Sequence, residues 1–128
     1  MKNKTPKVLC LDDLNSRQKE IQRDFPGAEI IHCQDIWSAQ EAIKTEKFDI
    51  IFLDYDLCDY SDASAIVSDD SQFDLTGADF LVYMFAEVPQ ENWPDKVVII
   101  SINKDGAKEM QWLLDSVGIE NSWDPLPN

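Results

Sequence analysis

The apolar positions of this chain fall into short unbroken runs, separated by stretches in which they recur every three to four residues. The runs are "KVLCL" (Lys7 to Leu11), "AEIIHC" (Ala28 to Cys33), "DIIFL" (Asp49 to Leu53) and "KVVIIS" (Lys96 to Ser101). Apolar on both faces and only five or six residues long, they suit the buried strands of a parallel sheet. The stretches between them read as helices. Asn15 or Ser16 can cap one that runs to Phe25, with Ile21 and Phe25 one turn apart and Pro26–Gly27 as its stop. Asp35 can cap a second, which turns Ala39, Ala42 and Ile43 inward. Thr76 and Asp79 make a capping-box-like start for a third, carrying Phe80, Leu81 and Met84. Met110, Leu113, Leu114 and Val117 follow the i, i+3, i+4, i+7 rule in a fourth, ended by Gly118. The tail "IENSWDPLPN" leaves room for a short fifth strand before its two prolines.

Strands alternating with helices predict a parallel sheet covered on both faces, joined by right-handed crossovers. The expected fold is α/β: a flavodoxin-like three-layer αβα sandwich, strand order 2-1-3-4-5, with the last helix of that fold missing. The length of 128 residues suits a single domain over 1–128. One segment breaks the pattern. "CDYSDASAIVSDDSQFDL", Cys58 to Leu75, is a long acidic insertion with aspartates at 59, 62, 69, 70 and 74. It reads either as a solvated insertion or as a lid or protein-partner-binding arm over the acidic cluster.

Composition narrows the function classes. Lysine plus arginine against aspartate plus glutamate gives 11 − 25 = −14. Phosphate-backbone affinity needs cationic side chains, so direct nucleic-acid binding is not expected. The three cysteines, Cys10, Cys33 and Cys58, contain no CxxC pair, and the single histidine, His32, lies beside Cys33 without the ligand spacing of a zinc site. No run reaches the roughly 18 apolar residues of a membrane helix, and the basic "MKNKTPK" start leads into too short an apolar run for a signal peptide. A cytoplasmic protein with no membrane contact is expected.

In the 2-1-3-4-5 order, ligands bind beyond the carboxyl ends of the first and third strands. Asp12 and Asp13 follow the first strand and Asp54 ends the third, with Asp56 two residues on. Carboxylates brought together cannot all stay ionised without a counter-charge. Mg²⁺, which takes one or two carboxylates and keeps several waters, meets that need and would orient an incoming phosphate. Asp12, Asp13, Asp54 and Asp56 are the candidate metal ligands. Asp54 could take a phosphoryl group, or Asp54 or Asp56 could activate a water. Ser101 is placed to donate to a phosphoryl oxygen, and Asn103, at a helix start, could add a further donor. Plainer roles also exist: a helix cap for Asp12, Asp13 or Asn103, a solvated loop position for Asp56, and a strand-end hydroxyl for Ser101.

Together "LDD", "FLDYDL", "TGADFL" and "VVIIS" resemble a response-regulator receiver domain. The resemblance implies Asp54 as phosphoacceptor, Asp12 and Asp13 as metal-binding acids, the Asp56 carbonyl in the metal shell and Ser101 as the switch hydroxyl. Receivers carry a lysine before a proline at the end of the fifth strand, where this chain has Asp124 before Pro125. The residues are more similar to the receiver-like family predicted to process cyclic phosphates. Its pattern matches "DYDL", "TGADFL" and "SINKDGAKEM", hence Asp54, Asp56, Thr76, Gly77, Ser101, Asn103, Gly106 and Met110. Histidines common in that family fall at Tyr55 and Ile100 here. The resemblance thus implies Mg²⁺-dependent processing or binding of a cyclic-nucleotide-type or other small phosphate. A non-catalytic protein-binding scaffold and a phosphoaccepting signalling receiver remain the alternatives.

Overall fold

The computed structural model describes residues 6–12, 21–23, 25–55 and 76–124. Five strands, β1 (Lys7–Leu11), β2 (Glu29–Cys33), β3 (Ile50–Leu53), β4 (Lys96–Ile99) and β5 (Glu120–Trp123), form one sheet. Its order is β2-β1-β3-β4-β5, and every pairing is parallel. Three helices are described in full: α1 (Ile36–Thr45), α2 (Gly77–Glu87) and α3 (Lys104–Ser116). Residues 21–23 are helical as well, and a 3₁₀ turn spans Gln90–Asn92. This is the expected flavodoxin-like topology. Among the described residues no helix follows β5, and none is long and apolar enough to cross a membrane.

The strands are apolar on both faces because both faces are covered. Leu9, Leu11, Ile51, Leu53, Val97 and Ile99 face a core that α1, α2 and α3 complete with Ile43, Phe80, Leu81, Met84, Met110 and Leu114. The alternate positions, Val8, Cys10, Phe52, Val98 and Ile100, pack with Ile21 and Phe25. Phe25 meets Phe52 edge-on at 5.8 Å between ring centroids. β1, β2, β3 and β4 therefore each contribute to two cores, and their side chains divide by parity, while β5 adds only Trp123 to the first.

Helix starts follow their capping residues. Asp35 accepts from the Ser38 N–H at 2.8 Å. Thr76 and Asp79 form a full capping box, with the Asp79 carboxylate accepting from the Thr76 N–H at 2.8 Å. Asn103 accepts from the Gly106 N–H at 2.9 Å. Gly118 stands at φ +80, just past α3, where a side chain would be strained. The insertion at 58–75 lies outside the described residues, as do the Asn15 and Ser16 caps.

Candidate functional site at the carboxyl ends of the strands

Parallel register aligns the strand ends that matter. Leu11 pairs with Leu53 and Leu53 with Ile99, so β1, β3 and β4 finish level. The ladder then continues one rung beyond. Asp54 N–H donates to the Leu11 carbonyl at 3.1 Å, and Ile100 N–H to the Leu53 carbonyl at 3.0 Å. On the other side, Asp12 N–H donates to the Cys33 carbonyl at 3.1 Å. Asp12 and Asp54 are thereby fixed at the ends of adjacent central strands by backbone bonds.

The site is defined by burial. Among the described residues, the buried polar or charged side chains are Asp12, Asp54 and Ser101, at 0 %, 9 % and 1 % exposure. All three stand just past the ends of β1, β3 and β4, and all three are residues that the sequence singles out. Ser101 is held twice. Its hydroxyl oxygen accepts the Asn103 N–H at 3.0 Å, and its carbonyl accepts the Trp123 indole N–H at 2.7 Å. A hydroxyl that accepts in this way still has its own proton to donate. Asn103 serves as the cap of α3, the plainer of its two expected roles.

Tyr55 extends the wall of the site. Its hydroxyl donates to Glu109 Oε1 at 3.2 Å. Its ring lies so close to α3 that a Cβ on Gly106 would stand 2.3 Å from Tyr55 Cγ. Gly77, at the start of α2, donates its N–H to the Tyr55 carbonyl at 2.9 Å. A Cβ there would fall 2.3 Å from the Asp54 carbonyl oxygen. The two glycines of "TGADFL" and "KDGAKEM" thus let two helix starts close on the segment carrying Asp54. Ile100 is fully buried in the second core, and Asp124 is exposed, its N–H donating to the Ile99 carbonyl at 2.8 Å.

Asp13 and Asp56 lie outside the described residues. Among the described residues no three His, Cys, Asp or Glu side chains form a cluster able to hold a metal. Two neighbours escape the sequence reading. The Trp123 indole gave no sign of reaching Ser101. His32, whose ring Nε2 lies 3.0 Å from the Asp12 carbonyl oxygen, signals its place only once Cys10 is known to pair with it across β1 and β2. Beside it, burial followed by the charge of Asp35 pushes the Cys33 thiol from 9.0 up to about 11.

The fold has many solved counterparts. The response regulator receiver domain (CheY-like) from Methylobacillus flagellatus aligns with a TM-score of 0.64 and 16% identity, covering 98% of this chain and 89% of its own. The phosphorylated cyanobacterial phytochrome response regulator RcpA gives 0.65 at 16% identity, covering 98% and 84%. A Burkholderia pseudomallei response regulator with a phosphorylated aspartic acid, calcium ion and citrate gives 0.61 at 15% identity, covering 96% and 61%. No curated protein sequence matches the chain. A family model described as the cyclic-phosphate processing receiver domain matches residues 7–116, spanning β1 to the end of α3 with Asp12, Asp54, Ser101 and both close-approach glycines inside it. On that match the chain belongs to the cyclic-phosphate processing receiver domain family.

Proposed function

We propose that this receiver domain binds and processes a cyclic or other small phosphate compound with Mg²⁺ at the carboxyl edge of its sheet. The observation that carries the reading is the placement of its buried polar groups. A fold that buries Asp12, Asp54 and Ser101, and places them at three contiguous strand ends, concentrates its polar burial where ligands of this topology bind. Burying a carboxylate costs free energy, so such a concentration favours function over packing.

The donor set fits a hard cation. Carboxylate oxygens from Asp12 and Asp54 are the ligands Mg²⁺ takes, and Asp13 and Asp56 are the further ligands the sequence offers. When bound, the cation supplies charge to polarise a phosphate and hold it in place. The protein's own part is orientation. Asp54 stands to activate a water or to accept the phosphoryl group, as the phosphorylated aspartic acid of the Burkholderia pseudomallei regulator does in that protein. Ser101, whose hydroxyl oxygen accepts the Asn103 N–H, keeps its own proton to donate to a phosphoryl oxygen. Tyr55 and Ile100 replace the two histidines common in the family, so acid–base work falls to the aspartates.

The test combines the protein, Mg²⁺, a panel of cyclic nucleotides and a small phosphodonor, with phosphorus NMR following the ligands and intact mass following the chain. Turnover lost in Asp54→Asn is the expected outcome. A phosphoryl adduct without turnover would make the domain a signalling receiver. A second reading rests on Trp112, which is 70 % exposed on α3. Tryptophan is enriched at interaction hot spots, and a folded protein giving neither NMR nor mass signal would put a non-catalytic protein-binding scaffold in front.

A further inference from the structure

Asp12 extends the backbone ladder one rung past β1 on the β2 side, where its N–H reaches the Cys33 carbonyl. β2 stops at Cys33, and two residues later the Asp35 side chain is committed to capping α1. The Asp12 carbonyl lies one residue past the end of β1. There His32 Nε2 lies 3.0 Å from that carbonyl oxygen. A carbonyl only accepts, so this contact requires Nε2 to carry the proton. Parity explains the reach: His32 pairs with Cys10, two residues before Asp12, so its ring stands on the sheet face to which alternation also assigns Asp12. A side-chain donor thus reaches the peptide of Asp12 at the rung where the acid leaves the strand.

We propose that His32 is a positioning residue for the acidic site, its Nε2–H fixing the peptide that leaves Asp12 and so the direction from which the Asp12 carboxylate meets a divalent cation. The role rests on the Mg²⁺ reading above and extends it to a residue outside the family motifs quoted for this chain. It needs no change of protonation. The ring acts through one hydrogen bond, as outer-shell partners of metal ligands do, and removing such a partner typically weakens metal affinity by about 10- to 100-fold. Glutamine can present an amide N–H where His32 presents Nε2–H, whereas leucine fills similar space with no donor.

The experiment measures Mg²⁺ affinity by calorimetry, at one fixed pH and below the melting range, for the wild type, His32→Gln, His32→Leu and Asp54→Asn. Expected is a loss of roughly tenfold or more in His32→Leu, with His32→Gln within about threefold of the wild type. A role confined to packing would lower the melting temperature of His32→Leu without moving its Mg²⁺ affinity, and that result overturns the proposal. So does His32→Gln binding as weakly as His32→Leu. A wild type that binds no Mg²⁺, and melts like Asp54→Asn with or without it, overturns the metal site itself and this role with it. A His32→Leu chain that fails to fold leaves the decision to the wild type and His32→Gln: long-range proton–nitrogen NMR must show the Nε2–H tautomer, and an Nδ1–H tautomer refutes the contact.

Discussion

Cys33 closes β2 with a thiol that burial, and secondarily the negative charge of Asp35, hold at about 11 against an ordinary 9.0. Both causes disfavour the thiolate. The unfolded chain deprotonates this cysteine at lower pH than the native one, so the contribution to stability is intact below about pH 9 and disappears as pH rises towards 11. Chemical denaturation is expected to show stability falling across that window, with Cys33→Ser flattening the fall. A Cys33→Ser protein with an unchanged alkaline limb would assign the effect elsewhere. The thiol is also expected to react slowly with disulfide reagents near neutral pH, since the thiolate is the reactive form. At Gly106, a methyl group would add roughly 1 kcal/mol of helix propensity but would stand 2.3 Å from Tyr55 Cγ, near the root of the side chain where swinging the ring tip gives no relief. Gly106→Ala is therefore expected to lose stability, and Tyr55→Ala to relieve that loss. Additive effects in the double-mutant cycle would deny that the two residues press on each other.

At the scale of elements, what was legible depended on whether the cause was local. The caps at Asp35, Thr76 and Asn103 are local chemistry, and each forms as the sequence predicts. The strands could be read because both sheet faces are covered, which leaves an unbroken apolar run instead of an alternation. Their ends have no such local cause. The fourth run reads to Ser101, whereas β4 stops at Ile99 because Ser101 gives its hydroxyl oxygen to Asn103 and the chain turns into α3. The shared edge of Asp12, Asp54 and Ser101 is legible because topology alone sends the residues after β1, β3 and β4 there. His32 and Trp123 could not, since their bonds to Asp12 and Ser101 depend on register and on indole orientation, neither of which has a spacing signature. Thr76 allows a local test. It accepts from the Asp79 N–H at 3.3 Å, while its own N–H donates to Asp79. Thr76→Ala should cost about 1 kcal/mol, and Thr76→Ser much less. An equal loss in both would mean that the methyl contact matters more than the cap.

For the molecule as a whole, charge and site make separable claims on stability. The formal charge of −14 repels itself, and any salt that screens it should raise the melting temperature. A site-bound cation adds a different term, RT ln(1 + [L]/Kd), which is about 2.7 kcal/mol at a hundredfold excess over Kd. For a domain of this size that corresponds to a rise of roughly 10 °C. Magnesium chloride should therefore stabilise the protein well beyond sodium chloride at equal ionic strength, and only the excess belongs to the site. Asp54→Asn changes the net charge from −14 to −13 and removes one of two buried carboxylates on neighbouring strand ends. Its metal-free melting temperature should be equal to or above that of the wild type, its sodium response nearly the same, and its magnesium excess strongly reduced. The combination is diagnostic, because a mutation that merely damaged packing would lower the metal-free value first. If Mg²⁺ and Na⁺ act alike at matched ionic strength in the wild type, the acids at the sheet edge hold no magnesium, and their burial must be explained by the hydrogen bonds they make within the fold.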